Sequence, residues 1–143
     1  MPDFGHENLP LLLLQARERV LSQFRPILNA HGLTEQQWRI LRVLVEHGPM
    51  EPHQIGRRCC VSSPSLAGIL ARMEAQELVT RERLSHDQRR QRVSPTARAR
   101  DLARRMAPQI AETYAAIESK LGPATMAALH VAMQGVLSGL DDA

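Results

Sequence analysis

The stretch Cys59-Cys60-Val61-Ser62-Ser63-Pro64-Ser65-Leu66-Ala67-Gly68-Ile69-Leu70-Ala71-Arg72-Met73-Glu74-Ala75-Gln76 decides the fold, together with the two runs that follow it, Leu78-Val79-Thr80-Arg81-Glu82-Arg83-Leu84 and Gln91-Arg92-Val93-Ser94. Ser63 reads as an N-cap and Pro64 suits the first helical position. Leu66, Ile69, Leu70 and Met73 recur at three- and four-residue steps, which predicts a helix from Ser63 to Gln76 with one inward face. Ser65, Ala67, Gly68 and Arg72 leave its other faces small or polar. The two later runs read as hairpin strands joined through residues 85–90, and a short polar helix from Pro52 to Arg58, anchored by Ile55, precedes the turn. Helix, turn, helix and hairpin in this order make a winged helix-turn-helix.

Outward from there, Thr34-Glu35-Gln36-Gln37 forms a capping box that opens a helix running to His47. Trp38, Leu41, Leu44 and Val45 are its expected buried stripe, and Gly48-Pro49 stops it. Met50-Glu51 is placed as a short strand against the hairpin. A first helix is expected from Leu9 to Ala30, with Leu13, Val20, Phe24, Ile27 and Leu28 inward. Pro26 should kink or split it, and His31-Gly32 ends it. Ser94-Pro95-Thr96 opens a long helix to Leu121 whose apolar face is Met106, Ile110, Tyr114, Ile117 and Leu121, bent at Pro108. Gly122-Pro123 breaks the chain before a last helix carrying Met126, Leu129, Met133, Val136 or Leu137, and Leu140. The expected class is mainly α (α+β). It is one domain over 1–143, with a winged region at 34–99 and terminal helices at 9–33 and 100–143 that form a dimerisation domain. Those helices are more apolar than a small monomer needs, so pairing about a two-fold axis is preferred to an intrachain cap.

Of 143 residues 43% are apolar but only 3% aromatic, which calls for a leucine, alanine, valine and methionine core and suits helices. The net charge of +3 says little until its placement is considered. Lys120 is the only lysine, and arginine supplies the rest. Residues 57–105 hold Arg57, Arg58, Arg72, Arg81, Arg83, Arg89, Arg90, Arg92, Arg98, Arg100, Arg104 and Arg105 against Glu74, Glu77, Glu82, Asp87 and Asp101. Positive charge thus gathers where a phosphate backbone would lie, against the plain alternative of a solvated face. Double-stranded DNA, as a pseudo-palindrome read by two subunits, is the expected partner. Ser63, Ser65 and Arg72 are the candidates for base edges. Arg89, with Arg90 beside it, is the minor-groove candidate, and Asp87 is expected to orient Arg89. Arg57, Arg58, Arg81, Arg83 and Arg92 are phosphate candidates.

Other classes find less support. The histidines His6, His31, His47, His53, His86 and His130 are scattered without metal-ligand spacing, and there is no glycine-rich phosphate loop or serine elbow. No enzyme, metal or cofactor is expected. The adjacent Cys59 and Cys60 form no disulfide framework. They leave a cysteine redox switch as an alternative, weighed against their use as small apolar residues. General DNA coating is a second alternative. Leu9-Pro10-Leu11-Leu12-Leu13-Leu14 is too short for a membrane span and lacks the marks of a signal peptide, so the chain is expected to be cytoplasmic.

The same residues resemble the MarR family of regulators over nearly the whole chain. Asp87-Gln88-Arg89-Arg90-Gln91-Arg92-Val93-Ser94-Pro95-Thr96 looks like the family wing, with Pro95-Thr96 where Leu-Thr is usual. The run from Ser63 through Arg81 looks like the recognition helix and first wing strand, with Glu77 where a glycine is usual. Leu13-Leu14-Gln15-Ala16-Arg17-Glu18, Phe24-Arg25-Pro26, Leu33-Thr34-Glu35-Gln36-Gln37-Trp38-Arg39-Ile40, Pro64-Ser65-Leu66 and Gly68-Ile69-Leu70 resemble the homoprotocatechuate-degradation repressor subgroup. That resemblance implies a repressor of an aromatic-catabolism operon, released by a small aromatic carboxylate. Such a ligand needs a cation, an apolar slot and one or two hydrogen bonds. Arg17 and Arg25 are the candidate carboxylate partners, Trp38 the stacking partner, and Arg39, His47 and His53 the polar neighbours.

Overall fold

A computed structural model describes residues 2–85 and 90–141. The elements are α1 Leu9–Ala30, α2 Glu35–His47, α3 Pro52–Cys59, α4 Ser63–Ala75, β1 Val79–Arg83, β2 Gln91–Pro95, α5 Ala97–Leu121 and α6 Pro123–Gly139. The winged helix-turn-helix expected from the sequence is present. Two compact units divide the chain: Phe24–Gln109, which holds the winged helix, and Met1–Gln23 with Ile110–Ala143, which holds most of the terminal helices.

The Phe24–Gln109 unit packs around Ile40, Leu41 and Leu44 of α2, Ile55 of α3, Ile69, Leu70 and Met73 of α4, and Val79 and Val93 of the hairpin, all at most 2% exposed. α2 begins as its sequence requires. The Thr34 hydroxyl accepts from the Gln37 backbone N–H at 3.1 Å, and the Gln37 side chain accepts from the Thr34 N–H at 3.2 Å. Gln37 is buried, and its amide also donates to the Gln76 side-chain oxygen at 3.1 Å, so the start of α2 is tied to the end of α4. The antiparallel hairpin pairs Thr80 with Ser94 and Glu82 with Arg92. Met50 bridges to Val93, with N–H to carbonyl distances of 3.1 and 2.9 Å, as the short third strand read from the sequence.

Several expectations are corrected. α4 starts one residue early, with Ser62 as N-cap and Ser63 inside the helix. Pro95 closes β2, and α5 begins at Ala97, its start held by the Thr96 hydroxyl accepting from the Ala99 N–H at 3.1 Å. The stripe of α2 is Ile40, Leu41 and Leu44, and Trp38 and Val45 are only half-buried at its edges. Pro26 does not split α1, which runs through it as one helix, and α5 continues through Pro108 as the sequence predicts. One proline removes one backbone bond, and the turns on either side keep theirs.

Three helices end alike. After α1, α3 and α4 the chain takes a left-handed residue (Gly32, φ 70°; Cys60, φ 54°; Glu77, φ 61°) and then a buried apolar one (Leu33, Val61 and Leu78). At α4 the Leu78 N–H donates to the Met73 carbonyl at 2.9 Å and the Glu77 N–H to the Glu74 carbonyl at 3.0 Å, the Schellman arrangement. Only the first of the three has glycine. A side chain in the left-handed region costs roughly 1–2 kcal/mol, and glycine's greater freedom in the unfolded chain offsets part of any gain on removing it. Glu77→Gly is therefore expected to stabilise the protein by about 0.5–1 kcal/mol, read as a raised midpoint in thermal or urea unfolding. A lowered midpoint would mean the left-handed cap is not strained.

Candidate nucleic-acid interface

α4 has one buried face and one bare one. Leu66, Ile69, Leu70 and Met73 are in the core, whereas Ser63, Ser65, Ala67, Gly68 and Arg72 are exposed. A helix bare on the side away from its core, with small side chains near its N-terminus, can approach base edges closely. The Ser62 hydroxyl donates to Ser65 Oγ at 3.1 Å and so shares that surface. The sequence reading missed Ser62 because it placed the cap one residue late. Pro52 and His53 of α3, Ser63 and Ala67 of α4, Arg81 of β1 and Gln91 of β2 line one crevice of 410 Å³, which places the start of the recognition helix against the hairpin. Gln91 carried no sequence signal of its own, because only strand pairing brings it here.

The candidate cations divide by their ties. Arg57, Arg58, Arg83 and Arg92 are exposed. Arg81 is half-buried and donates to Glu74 at 2.9 Å, which joins α4 to β1. Arg90 donates to both carboxylate oxygens of Glu51, at 3.1 and 3.4 Å. These hydrogen bonds hold the Glu51 and Glu74 carboxyls below their ordinary range. Both pairs therefore persist across neutral pH, and their contribution is lost only as pH falls through that lowered range. Arg89 and Asp87 lie outside the described residues.

Of the residues expected at an effector site, His53 belongs to the crevice just described, alongside Ser63 and Arg81. His47 is exposed at the end of α2, and Arg25 is exposed on α1. Trp38 is half-buried. Arg17 lines an apolar slot of 450 Å³ in the unit of terminal helices, between Leu13, Ala16, Val20 and Leu21 of α1 and Leu129, His130 and Met133 of α6.

Arg39 is engaged within the fold. Its guanidinium forks onto Glu35, Nε to Oε1 at 3.0 Å and Nη2 to Oε2 at 2.6 Å. Its remaining arm, Nη1, donates to the carbonyl of Cys59 and, at 3.5 Å, to that of Cys60. In return the Cys59 thiol donates to the Arg39 carbonyl at 3.8 Å. Carbonyls at a helix C-terminus lack intrahelical donors and carry the negative end of its dipole. Arg39 satisfies those of α3 and holds the turn that leads into α4. The hydrogen bond to Glu35 holds the Arg39 pKa above its ordinary range. The i,i+4 spacing of Glu35 and Arg39 was a readable signal for half of this arrangement.

Cys59 is buried, and burial pushes its thiol pKa up against the opposing pull of Arg39, so it stays protonated and inert at neutral pH. Cys60 is exposed. Among the described residues no group of three or more His, Cys, Asp or Glu could hold a metal ion, and no helix is long and apolar enough to cross a membrane.

A small helical scaffold that turns an uncovered helix and an arginine-bearing hairpin outward defines a winged-helix nucleic-acid-binding protein. The MarR family pattern matches residues 33–90. The homoprotocatechuate degradative operon repressor of Escherichia coli is 47% identical over 115 residues, which are 80% of this chain and 78% of that one. The regulator FarR of Neisseria gonorrhoeae is 42% identical over 82% of this chain and 80% of its own. The crystal structure of NadR in complex with 4-hydroxyphenylacetate superposes with a TM-score of 0.80 at 39% identity, covering 95% of this chain and 97% of that one. The chain belongs to the MarR family. It is a DNA-binding transcription regulator, not an enzyme, in a family whose members bind DNA as dimers.

Two outcomes follow from this geometry. Arg39→Gln leaves helix-end carbonyls without their donor and is expected to destabilise the protein by about 1–3 kcal/mol; an unchanged unfolding midpoint would rule the clamp out. A thiol reagent at neutral pH is expected to label Cys60 promptly and Cys59 only after denaturation. Equal labelling rates in the native protein would contradict the burial of Cys59.

Proposed function

We propose that the protein is a cytoplasmic homodimeric repressor of an operon for breakdown of an aromatic or heteroaromatic acid, released from its operator by a small aromatic carboxylate. The observation that carries the reading is the bare face of α4, with exposed Ser63 and Ser65 at its start, beside exposed Arg83 and Arg92 on the hairpin. In this reading Ser63, Ser65 and Arg72 meet base edges, while Arg57, Arg58, Arg83 and Arg92 meet phosphates. Arg81 and Arg90 join them by exchanging their carboxylate partners for phosphate. Arg89 remains the minor-groove candidate.

The dimer is supported by the terminal helices. No residue of α6 is buried within the chain, and Leu137 and Leu140 are 74% and 78% exposed. On α1, Leu9, Leu11, Leu12 and Leu14 are exposed as well. Burying one such side chain is worth about 1.5–3 kcal/mol, and a surface of this kind marks an association site. The ligand class is supported by relatives: the Escherichia coli protein is named for a homoprotocatechuate operon, and NadR was crystallised with 4-hydroxyphenylacetate. Arg17, beside its apolar slot, is the candidate carboxylate partner; Arg25 and Trp38, in the Phe24–Gln109 unit, are separate candidates. Release requires that the ligand prefer a conformation that the operator does not.

The test is a titration of the dimer against a fragment from its own promoter, with bulk competitor DNA at fixed salt. Arg92→Ala is expected to weaken binding on all sequences and, in a parallel salt series, to lower the slope of log affinity against log salt by about one for each phosphate no longer neutralised. Arg17→Gln is expected to keep operator affinity while losing release by 4-hydroxyphenylacetate. A dimer that stays on its operator at saturating 4-hydroxyphenylacetate, homoprotocatechuate and pyridine carboxylates would sink the ligand class. Equal affinity for promoter and competitor would sink the specific reading in favour of general DNA coating.

A further inference from the structure

A second crevice of 410 Å³ lies within the Phe24–Gln109 unit, where the turn after α1, the end of α4 and the first turns of α5 meet. Its residues belong neither to the bare face of α4 nor to the slot beside Arg17. Arg98, Leu102 and Arg105 all line it, and their i, i+4, i+7 spacing puts them on one face of α5. The helical rise sets the two arginine backbones about 10 Å apart, with the leucine between them. Leu33, Leu78 and Leu102 are buried beneath the crevice and expose little of themselves to it, so its open lining is mostly polar. Gln76, which caps α4 and accepts from Gln37, lines the side facing the recognition helix.

Each arginine has a carboxylate near it. Arg98 Nη1 is 3.9 Å from Glu77, beyond hydrogen-bond distance, and Arg105 Nε is 3.4 Å from Asp101 one turn earlier on the same helix. All four side chains are more than half exposed, so these are loose, solvated pairs that a better-placed anion can displace. His31 is the remaining titratable side chain of the crevice. Two guanidinium forks spaced along one helix face match a ligand with a carboxylate at each end and a short spacer between them.

We propose that this crevice is a binding site for a short dicarboxylate, held by Arg98 at one end and Arg105 at the other, with its carbon chain spanning between them. The ligand touches the residue that caps α4, so the site lies at the far end of the recognition helix from Ser63.

The test uses the full-length protein without DNA and isothermal titration with adipate, against hexanoate as the single-carboxylate control of equal chain length. Adipate is expected to bind at least about tenfold more tightly, the margin of one charge-assisted pair. Arg98→Gln and Arg105→Gln are each expected to bring adipate down to the level of hexanoate without moving the unfolding midpoint. Arg17→Gln, which tests the proposed aromatic-acid site, is expected to leave adipate binding intact. Equal affinity for the two acids overturns the proposal. So does adipate binding that survives both crevice substitutions, or that is lost on Arg17→Gln instead.

Discussion

The burial of one face of α4 is the constraint from which the interface follows. Leu66, Ile69, Leu70 and Met73 sit against the core built on Ile40, Leu41, Leu44 and Ile55. With that face committed, the helix has no rotational freedom left. Ser63, Ser65, Ala67 and Arg72 are presented outward because the apolar residues are turned inward. Rotating α4 enough to hide the serines would bring leucines and isoleucine into water at about 1.5–3 kcal/mol each, a large fraction of a small domain's net stability. The surface proposed to read DNA is therefore rigid for a reason unrelated to DNA.

Polar ties then set where that rotationally fixed helix sits along its axis. At its start, Arg39 holds the carbonyls of Cys59 and Cys60, so the turn into α4 is pinned to α2. At its end, buried Gln37 bonds Gln76, and Arg81 bonds Glu74. Removing one partner from a buried polar pair costs more than the pair contributes on balance, because the other partner is left unsatisfied. The part-buried contacts of Arg39 and Gln37 therefore bear on placement and stability together, whereas the more exposed Arg81–Glu74 pair adds little to stability. Both ends of the recognition helix lead back to α2, so a change that shifted α2 would move α4 as one piece.

What was legible in the sequence was what local spacing determines. The Thr34 and Gln37 box, the inward face of α4, the Ile55 anchor and the Met50 strand all follow from periodicity or capping chemistry within a few residues. What was not legible depends on segments far apart in the chain. Glu35 and Arg39 advertise an i,i+4 pair, but nothing local says that the third arm of the guanidinium reaches the end of α3 twenty residues on. The Gln37–Gln76 bond spans 39 positions. The left-handed Cys60 carried no signal, because the sequence marks such positions with glycine, whereas Glu77 was marked by the resemblance as standing where a glycine is usual; buried Val61 and Leu78 follow them. Pro26 left open locally whether α1 splits, and the turns on both sides of it keep the helix continuous.

The two units follow opposite packing logic, and the difference bears on how such a regulator must work. The Phe24–Gln109 unit buries its apolar side chains within itself, and its remaining exposed residues are mostly polar or small. The unit of terminal helices buries Ile110 and Ile117 but leaves Tyr114, Leu121, Val131 and Val136 exposed, with leucines of α1 and α6 besides. A unit of this composition gains its stability from association, so its folding free energy depends on protomer concentration in a way that the winged unit's does not. Operator affinity would carry the same dependence. One recognition helix offers a few serine and arginine contacts, each discriminating weakly, whereas two held at fixed spacing multiply both affinity and selectivity. Any ligand that alters the fixed spacing, without touching a single base-reading residue, is therefore sufficient to release the DNA.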